Sequence, residues 1–199
     1  MLLDVAMPVV GYLAGSVASA VIVCKLMGLP DPRTGGSGNP GATNVLRLGG
    51  KKAAILTLLG DVLKGVLPVL AAHALEVSEP ARALTALGAF LGHLYPVFFG
   101  FKGGKGVATA FGATAALAWP VGAVFALLWL SLAAITRYSS IASLVSAVTS
   151  PLVAIMLQPQ LSHALALAVI AGFVIVRHRE NIGRLKAGTE GRIGEKKTG

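Results

Sequence analysis

The amino-acid sequence predicts an all-α integral membrane protein, a compact bundle of seven transmembrane helices of which the fourth is short. Three observations lead there. Of 199 residues, 55% are hydrophobic and only 13% charged, a balance that excludes a disordered chain and an ordinary soluble domain. The apolar residues gather into seven runs, most of them near the roughly 20 residues a helix needs to cross a bilayer. The basic residues lie on alternate connections between those runs, which sets an orientation.

The first run is Val5 to Leu26. Ala18-Ser19-Ala20 imitates a signal-peptide cleavage site, but no Lys or Arg precedes the run and Asp4 stands at its start, so it reads as a retained helix. A glycine-rich loop follows from Gly28 to Gly50. The second run, Ala53 to Leu75, carries Asp61 and Lys64. Charges at that depth need partners, and three residues apart on a helix these two can pair with each other. An acidic turn over Glu76 to Glu79 leads to the third run, Ala83 to Phe99, which closes in Gly92-His93-Leu94-Tyr95-Pro96. After a second glycine-rich loop, Val107 to Ala118 is apolar but short, a partial span. Trp119-Pro120 punctuates it. The fifth run is Val121 to Thr136, the sixth Ile141 to Leu157 and the seventh Leu161 to Val176, separated by turns at residues 137–140 and 158–160. The tail from Arg177 to Gly199 is polar and basic. The whole chain, residues 1–199, reads as one transmembrane domain.

Lys25, Arg33, Arg47, Lys51, Lys52, Lys102, Lys105, Arg137 and every basic residue from Arg177 onward belong to one set of connections. The other set holds the N-terminus and the turns near 76–82, Trp119 and 158–162, with Arg82 its one basic residue. The positive-inside rule makes the first set cytoplasmic. Seven spans with the N-terminus outside and the C-terminus inside satisfy it, whereas six would put the two glycine-rich loops and the tail on opposite faces.

A net charge of +9 suits nucleic acid, anionic lipid or an anionic substrate. Nucleic acid is excluded as a partner: there is no binding motif, the apolar surface is too large, and 6% aromatic residues give no stacking platform. Cys24 is the one cysteine, so no disulfide framework or cysteine metal site is expected. No cluster of metal ligands is visible, and no cofactor is called for.

The polar residues collect in three places. Residues 35–47 read Gly-Gly-Ser-Gly-Asn-Pro-Gly-Ala-Thr-Asn-Val-Leu-Arg. Glycines let main-chain N–H groups approach an anion closely. Ser37, Asn39, Thr43 and Asn44 add neutral donors, and Arg47 adds a fork suited to phosphate. Residues 101–109 read Phe-Lys-Gly-Gly-Lys-Gly-Val-Ala-Thr. The spacing fails the nucleotide P-loop pattern, because Gly100 lies five before Lys105 and Val107 two after it. The physics is shared all the same: amides and an ammonium at the start of a helix whose dipole favours anions. In the tail, His178 and Asn181 lie three apart on one helical face. Arg177, Arg184 and Lys186 suit anionic lipid headgroups as well as a substrate. His93 reads either as an acid or base or as a ring satisfying main-chain groups at a helix end. Ser139, Ser140 and Ser143 read as caps or as further anion donors. Together these loops point to phosphate chemistry at the membrane surface. A transporter of a phosphorylated solute is the alternative, and against it the polar groups cluster on one face rather than at mid-membrane.

The three segments resemble the bacterial acyl-phosphate-dependent glycerol-3-phosphate acyltransferase family (PlsY). Its first motif, Gly-Ser-Gly-Asn-x-Gly-Ala/Thr-x-Asn-x-x-Arg, is matched by Gly36 to Arg47. Its second, Gly-His-x-x-Pro-x-Phe-x-x-Phe-Lys-Gly-Gly-Lys-Gly-Val-Ala-Thr, is matched by Gly92 to Thr109, and its third, Arg-His-x-x-Asn-Ile-x-Arg-Leu-x-x-Gly-x-Glu, by Arg177 to Glu190. The resemblance implies a reaction between acyl phosphate and sn-glycerol 3-phosphate. It gives 1-acylglycerol 3-phosphate (lysophosphatidic acid) and inorganic phosphate, at the cytoplasmic face of the bacterial inner membrane and among its lipids. It further implies that Ser37, Thr43, Asn44 and Arg47, on a loop formed with Gly36, Gly38, Asn39 and Gly41, hold one phosphate. Lys105, with the Gly103 and Gly104 amides, would hold the acyl phosphate and stabilise developing charge, or the two loops would hold the phosphates the other way round, and Lys102 is a further substrate-binding residue. Ser143, His178, Asn181 and Glu190 would complete the site around glycerol 3-phosphate, with His178, Lys105, Ser37 and Arg47 closest to the chemistry. The base is either His178 or a substrate phosphate oxygen. The second is preferred, with His178 positioning the acceptor. The His-x-x-x-x-Asp pair of acyl-CoA-dependent glycerolipid acyltransferases is absent, since none of His73, His93, His163 and His178 has Asp five residues later.

Overall fold

The computed structural model describes residues 1–194, and all of their regular structure is helical. Every one of the seven apolar runs forms helix, with breaks where local chemistry demands them. The first run is not one helix. α1 (Leu2–Gly15) and α2 (Ser19–Leu26) meet at a break over residues 16–18. There the Ser16 hydroxyl donates to the Tyr12 carbonyl at 2.8 Å, and the Val17 carbonyl, freed from the helical ladder, accepts Lys64 Nζ at 2.8 Å. α3 (Ala42–Ala74) begins inside the first loop and is interrupted at Gly50, whose φ of 75° no helix contains.

α4 (Glu79–Leu94) stops short of the expected Phe99. Pro96 drives Tyr95 out of the helical region, to φ −130°, and a single 3-10 turn at Val97–Phe99 carries the chain into the second loop. α5 (Val107–Leu117), α6 (Trp119–Thr136), α7 (Ser139–Leu157) and α8 (Leu161–Arg177) follow, and a short α9 (Arg179–Lys186) leaves α8 at a 57° bend. By length and composition the α1–α2 unit, α3, α6 and α7 can each cross a membrane, and α8 with α9 makes a possible fifth. α5, at 11 residues, is only about 16 Å long against a hydrocarbon core of about 30 Å.

Small residues bring the helices close. α1 carries Gly11 and Gly15 and α4 carries Gly88 and Gly92, a four-residue spacing on both faces. A methyl group on Gly15 would stand 2.0 Å from the Ala89 carbonyl oxygen, and one on Gly92 2.1 Å from that of Tyr12. Such backbone-to-backbone approach is how helices associate where lipid gives no hydrophobic drive. The apolar core joins Phe90 and Leu94 of α4 to Val121 and Phe125 of α6 and to Leu167, Ile170 and Val174 of α8. Large apolar side chains point outward instead: Leu67 on α3, Leu130 and Ile135 on α6, Ile155 and Met156 on α7, and Leu165 on α8 are all more than half exposed. A soluble surface does not carry so continuous an apolar belt. The protein is an integral, multi-pass membrane protein.

The two ends of the bundle differ. At one, Asp4 accepts the Ser78 amide at 2.8 Å, and Glu79 binds both Arg82 (2.7 Å) and His163 (2.9 Å). At the other, both glycine-rich loops, the 137–138 turn, α9 and residues 187–194 come together.

Candidate active site

The first loop is shaped by Asn44, which lies in the first turn of α3 and is 1% exposed. Its amide nitrogen donates to the carbonyls of Pro32 (2.9 Å) and Gly35 (3.0 Å), and its oxygen accepts the Ser37 amide at 2.8 Å. Gly36 must be glycine twice over: its φ is +63°, and a Cβ would lie 2.2 Å from the Asn44 oxygen. Arg33 ties the loop's start to Asp31 through bonds of 2.7–3.2 Å and reaches the Phe99 carbonyl at 3.4 Å. That contact links the first loop to the second. The result is a braced turn that leaves the side chains of Ser37, Thr43 and Arg47 exposed. Gly41 precedes α3 with no side-chain cap, so the first α3 amides also face outward.

The second loop crosses the end of α4. The Gly103 amide donates to the Leu94 carbonyl at 3.2 Å, which removes it from the expected pair of anion-binding amides. Arg177, at the end of α8, donates to the carbonyls of Gly103 (2.9 Å) and Gly104 (3.2 Å). With both carbonyls clamped on one side, the amides of Gly104, Lys105 and Gly106 make no hydrogen bond among the described residues. Gly106 sits in the left-handed region at φ +80° and starts α5 without a side-chain cap. Open amides at an uncapped helix start make an anion site.

Lys105 turns from this loop to α9. Its ammonium contacts the Asn181 side-chain oxygen. The Asn181 amide nitrogen donates to one Glu190 oxygen at 2.6 Å, and Arg184 Nε donates to the other at 2.7 Å. Burial, with the nearby Arg184 charge, holds the Lys105 ammonium below the usual lysine range. Burial would raise the Glu190 carboxyl, but the bonds from Asn181 and Arg184 outweigh it and keep the group an ionised carboxylate below its ordinary value. The tail is strapped beyond Glu190. Ile193 is held twice by Arg137: its amide donates to the Arg137 carbonyl at 2.7 Å, and its carbonyl accepts the Arg137 guanidinium at 3.1 Å. The Arg47 guanidinium comes up beside Gly191, so the end of the first motif meets the residue that follows the third.

His178 is 3% exposed at the α8–α9 bend. Its Nδ1 lies 2.8 Å from the Val174 carbonyl. A carbonyl only accepts, so Nδ1 carries the hydrogen and Nε2 presents a lone pair. Burial pushes the imidazole down to about 4, against the Val174 bond that raises it, and Lys105 and Arg177 lower it further. The ring is therefore neutral at physiological pH, an acceptor for a hydroxyl.

The structure thus brings Lys105, His178, Asn181, Glu190 and Arg47 to one end of the bundle, beside the Gly104 amide. It gives Asn44 to loop bracing. Ser143 is likewise committed: its hydroxyl donates to the Ser139 carbonyl at 2.7 Å and accepts Trp129 Nε1 at 3.1 Å, tying α6 to α7. Lys102 is exposed. Arg177, readable in the sequence as a contact for lipid headgroups or for a substrate, acts on the loop backbone. Its position next to His178 was the available signal. Among the described residues no group of three or more His, Cys, Asp or Glu could hold a metal ion.

The glycerol-3-phosphate acyltransferase family profile matches residues 5–188. The Methylococcus capsulatus glycerol-3-phosphate acyltransferase is 53% identical over 186 residues, covering 94% of each chain. The Neisseria meningitidis enzyme of the same name is 53% identical over 192 residues, covering 94% of this chain and 96% of its own. Among solved structures, the glycerol 3-phosphate form of PlsY, an integral membrane glycerol 3-phosphate acyltransferase, superposes with a TM-score of 0.90 at 41% identity, covering 96% of both chains. Its lysophosphatidic acid form gives 0.88 at 40%, covering 96% of this chain and 95% of the other. From the three motifs, the fold and these likenesses together, the chain belongs to the glycerol-3-phosphate acyltransferase family.

Proposed function

We propose that this enzyme transfers a fatty acyl group from acyl phosphate to the 1-hydroxyl of sn-glycerol 3-phosphate, giving 1-acylglycerol 3-phosphate and inorganic phosphate. The observation that carries this reading is the meeting of Lys105, Asn181 and a neutral, buried His178 beside the open amides at the start of α5. Two anion-binding loops suit a reaction in which both substrates carry phosphate. The hydroxyl oxygen attacks the acyl carbon, and the carbon–oxygen bond to phosphate breaks with its electron pair leaving on phosphate. A phosphate oxygen takes the hydroxyl proton. Lys105 and the Gly104 amide stabilise the charge that builds on the acyl phosphate. Ser37, Thr43 and Arg47 hold the other phosphate, and Gly36, Gly38, Asn39 and Gly41 shape the loop that presents them.

His178 Nε2 accepts a hydrogen bond from glycerol 3-phosphate and orients it. A base held near 4 is a weak one at neutral pH, which favours the phosphate as proton acceptor. Asn181 and Glu190 keep Lys105 and Arg184 in place. We infer seven membrane segments, α5 a partial one, with the N-terminus outside; the positive-inside rule then assigns this end of the bundle, with its lysines and arginines, to the cytoplasmic face of the bacterial inner membrane. The acyl chain enters from the surrounding lipid.

Purified protein given palmitoyl phosphate, with and without glycerol 3-phosphate, tests the donor. Phosphate release that requires glycerol 3-phosphate and matches lysophosphatidic acid formed is the expected result. Release without acceptor, or acyl transfer from acyl-CoA alone, overturns the donor assignment.

A further inference from the structure

We propose that His93, held in place by Asp61 and Lys64, is a positioning residue for the second loop. Its ring is the floor under Gly104 and sets where the Gly104 amide and Lys105 stand against the first loop. This rests on the reading above that the second loop binds a reacting phosphate.

Four polar side chains are buried where α3, α4 and α5 meet: Asp61 (2% exposed), Lys64 (8%), His93 (6%) and Thr109 (0%). Lys64 Nζ lies 2.9 Å from Asp61 Oδ1 and donates to Val17 at the α1–α2 break. Thr109 donates its hydroxyl hydrogen to the Asp61 carbonyl at 2.9 Å. The Thr109 oxygen is then left to accept from His93 Nδ1, 3.2 Å away. Asp61 Oδ1 stands 3.5 Å from the same nitrogen. Both neighbours call for a hydrogen on Nδ1, so Nε2 faces away with its lone pair.

What Nε2 faces is Gly104. A Cβ on Gly104 would lie 2.5 Å from His93 Nε2 and 3.0 Å from the Pro40 carbonyl oxygen of the first loop. Gly103 rests on the same residue, since a Cβ there would be 1.9 Å from the His93 carbonyl oxygen. The remaining void, lined by Asp61, Lys64, His93, Pro40 and Gly104 among others, is about 10 Å³, room for about one water. The loop has no slack beneath it. Arg177 holds it from above through its carbonyls.

Stability alone does not account for this set. Buried ion pairs are often no better for stability than apolar residues of the same volume, and the surrounding helices are apolar. What the charges provide is a fixed direction for one imidazole. Without the ring, Gly104 can sink toward α3, and Lys105 moves with it relative to Asn181. Misplacement of about 1 Å in a reacting geometry costs up to about 100-fold in rate.

The test compares full-length wild type with His93→Ala, His93→Gln and Thr109→Val in detergent. It measures kcat, the KM of each substrate, equilibrium binding of inorganic phosphate, and the thermal midpoint. His93→Ala should lower kcat about 100-fold with a midpoint near wild type. His93→Gln, which can again reach under Gly104 with a polar group, should recover most of that loss. Thr109→Val, which frees the ring without emptying its site, should lower kcat about fivefold and serves if His93→Ala does not fold. Wild-type kcat in a folded His93→Ala or Thr109→Val overturns the proposal. So does a loss that follows the folded fraction with no recovery in His93→Gln. If wild type transfers acyl groups only from another donor, the donor assignment fails and the comparison is made with that donor. If it transfers from none, phosphate binding decides: a tenfold weakening in His93→Ala supports the positioning role, and unchanged binding overturns it.

Discussion

Replacing Asn44 by alanine separates a loop brace from a ligand contact. The Asn44 amide satisfies three main-chain groups, at Pro32, Gly35 and Ser37, over 2.8–3.0 Å. Its orientation is fixed by its partners, because two are carbonyls and one is an amide. At about 1 kcal/mol net for each bond, the substitution should make local opening of the loop easier by about 3 kcal/mol. One decade in an equilibrium constant is about 1.4 kcal/mol, so the Ser37 amide should exchange its hydrogen about 150-fold faster. Hydrogen exchange on ligand-free protein in detergent, read by mass spectrometry over residues 33–41, measures this directly. The helices should keep their protection, since Asn44 lies outside the apolar core. Weaker glycerol 3-phosphate binding should follow as a consequence. If ligand-free exchange stays at wild-type rates while substrate affinity collapses, Asn44 contacts the ligand itself and the bracing argument is wrong.

Three further outcomes follow from the same geometry. Folded His178 takes its proton near 4, so it stays neutral as pH falls through the region where a phosphate monoester gains its second proton, about 6. The acid limb of kcat should therefore lie near 6 and persist in His178→Asn, which should retain measurable turnover. Disappearance of that limb, or activity at background in folded variant, would make His178 the base. Lys105→Met removes the ammonium beside Asn181 and should lower kcat about 100-fold with little change in thermal midpoint, as measured by steady-state kinetics and detergent melting. Gly92→Ala puts a methyl 2.1 Å from the Tyr12 carbonyl oxygen and should destabilise the α1–α4 contact by about 1–3 kcal/mol. Gly172→Ala, with nothing within 4 Å of its new methyl, is the control and should melt like wild type.

Much of the candidate site is legible in the sequence because its polar residues are written in short segments. Residues 35–47, 101–109 and 177–190 carry glycines, amides and basic side chains at densities that apolar neighbours throw into relief, and charge alternation assigns all three to one face. The helices were legible for the same reason: in lipid every main-chain polar group must be satisfied within its own segment, so an apolar run becomes a helix. Only tertiary structure decided which donors remain available. Asn44 reads in the sequence as an anion donor and Ser143 as a cap or an anion donor; in the structure the first bonds to Pro32, Gly35 and Ser37 and the second to Ser139 and Trp129. Gly103 gives its amide to Leu94. Arg177 reads as a contact for lipid headgroups or for a substrate, and in the structure it grips the loop from a position 73 residues away in sequence. Likewise, the Asp61–Lys64 pair is readable as two charges three apart on one helix, but its meeting with His93 and Thr109 comes only from the packing of α3, α4 and α5. A hydrogen bond consumes a donor wherever its partner comes from, and partners that fold in from a distance leave no mark in local sequence.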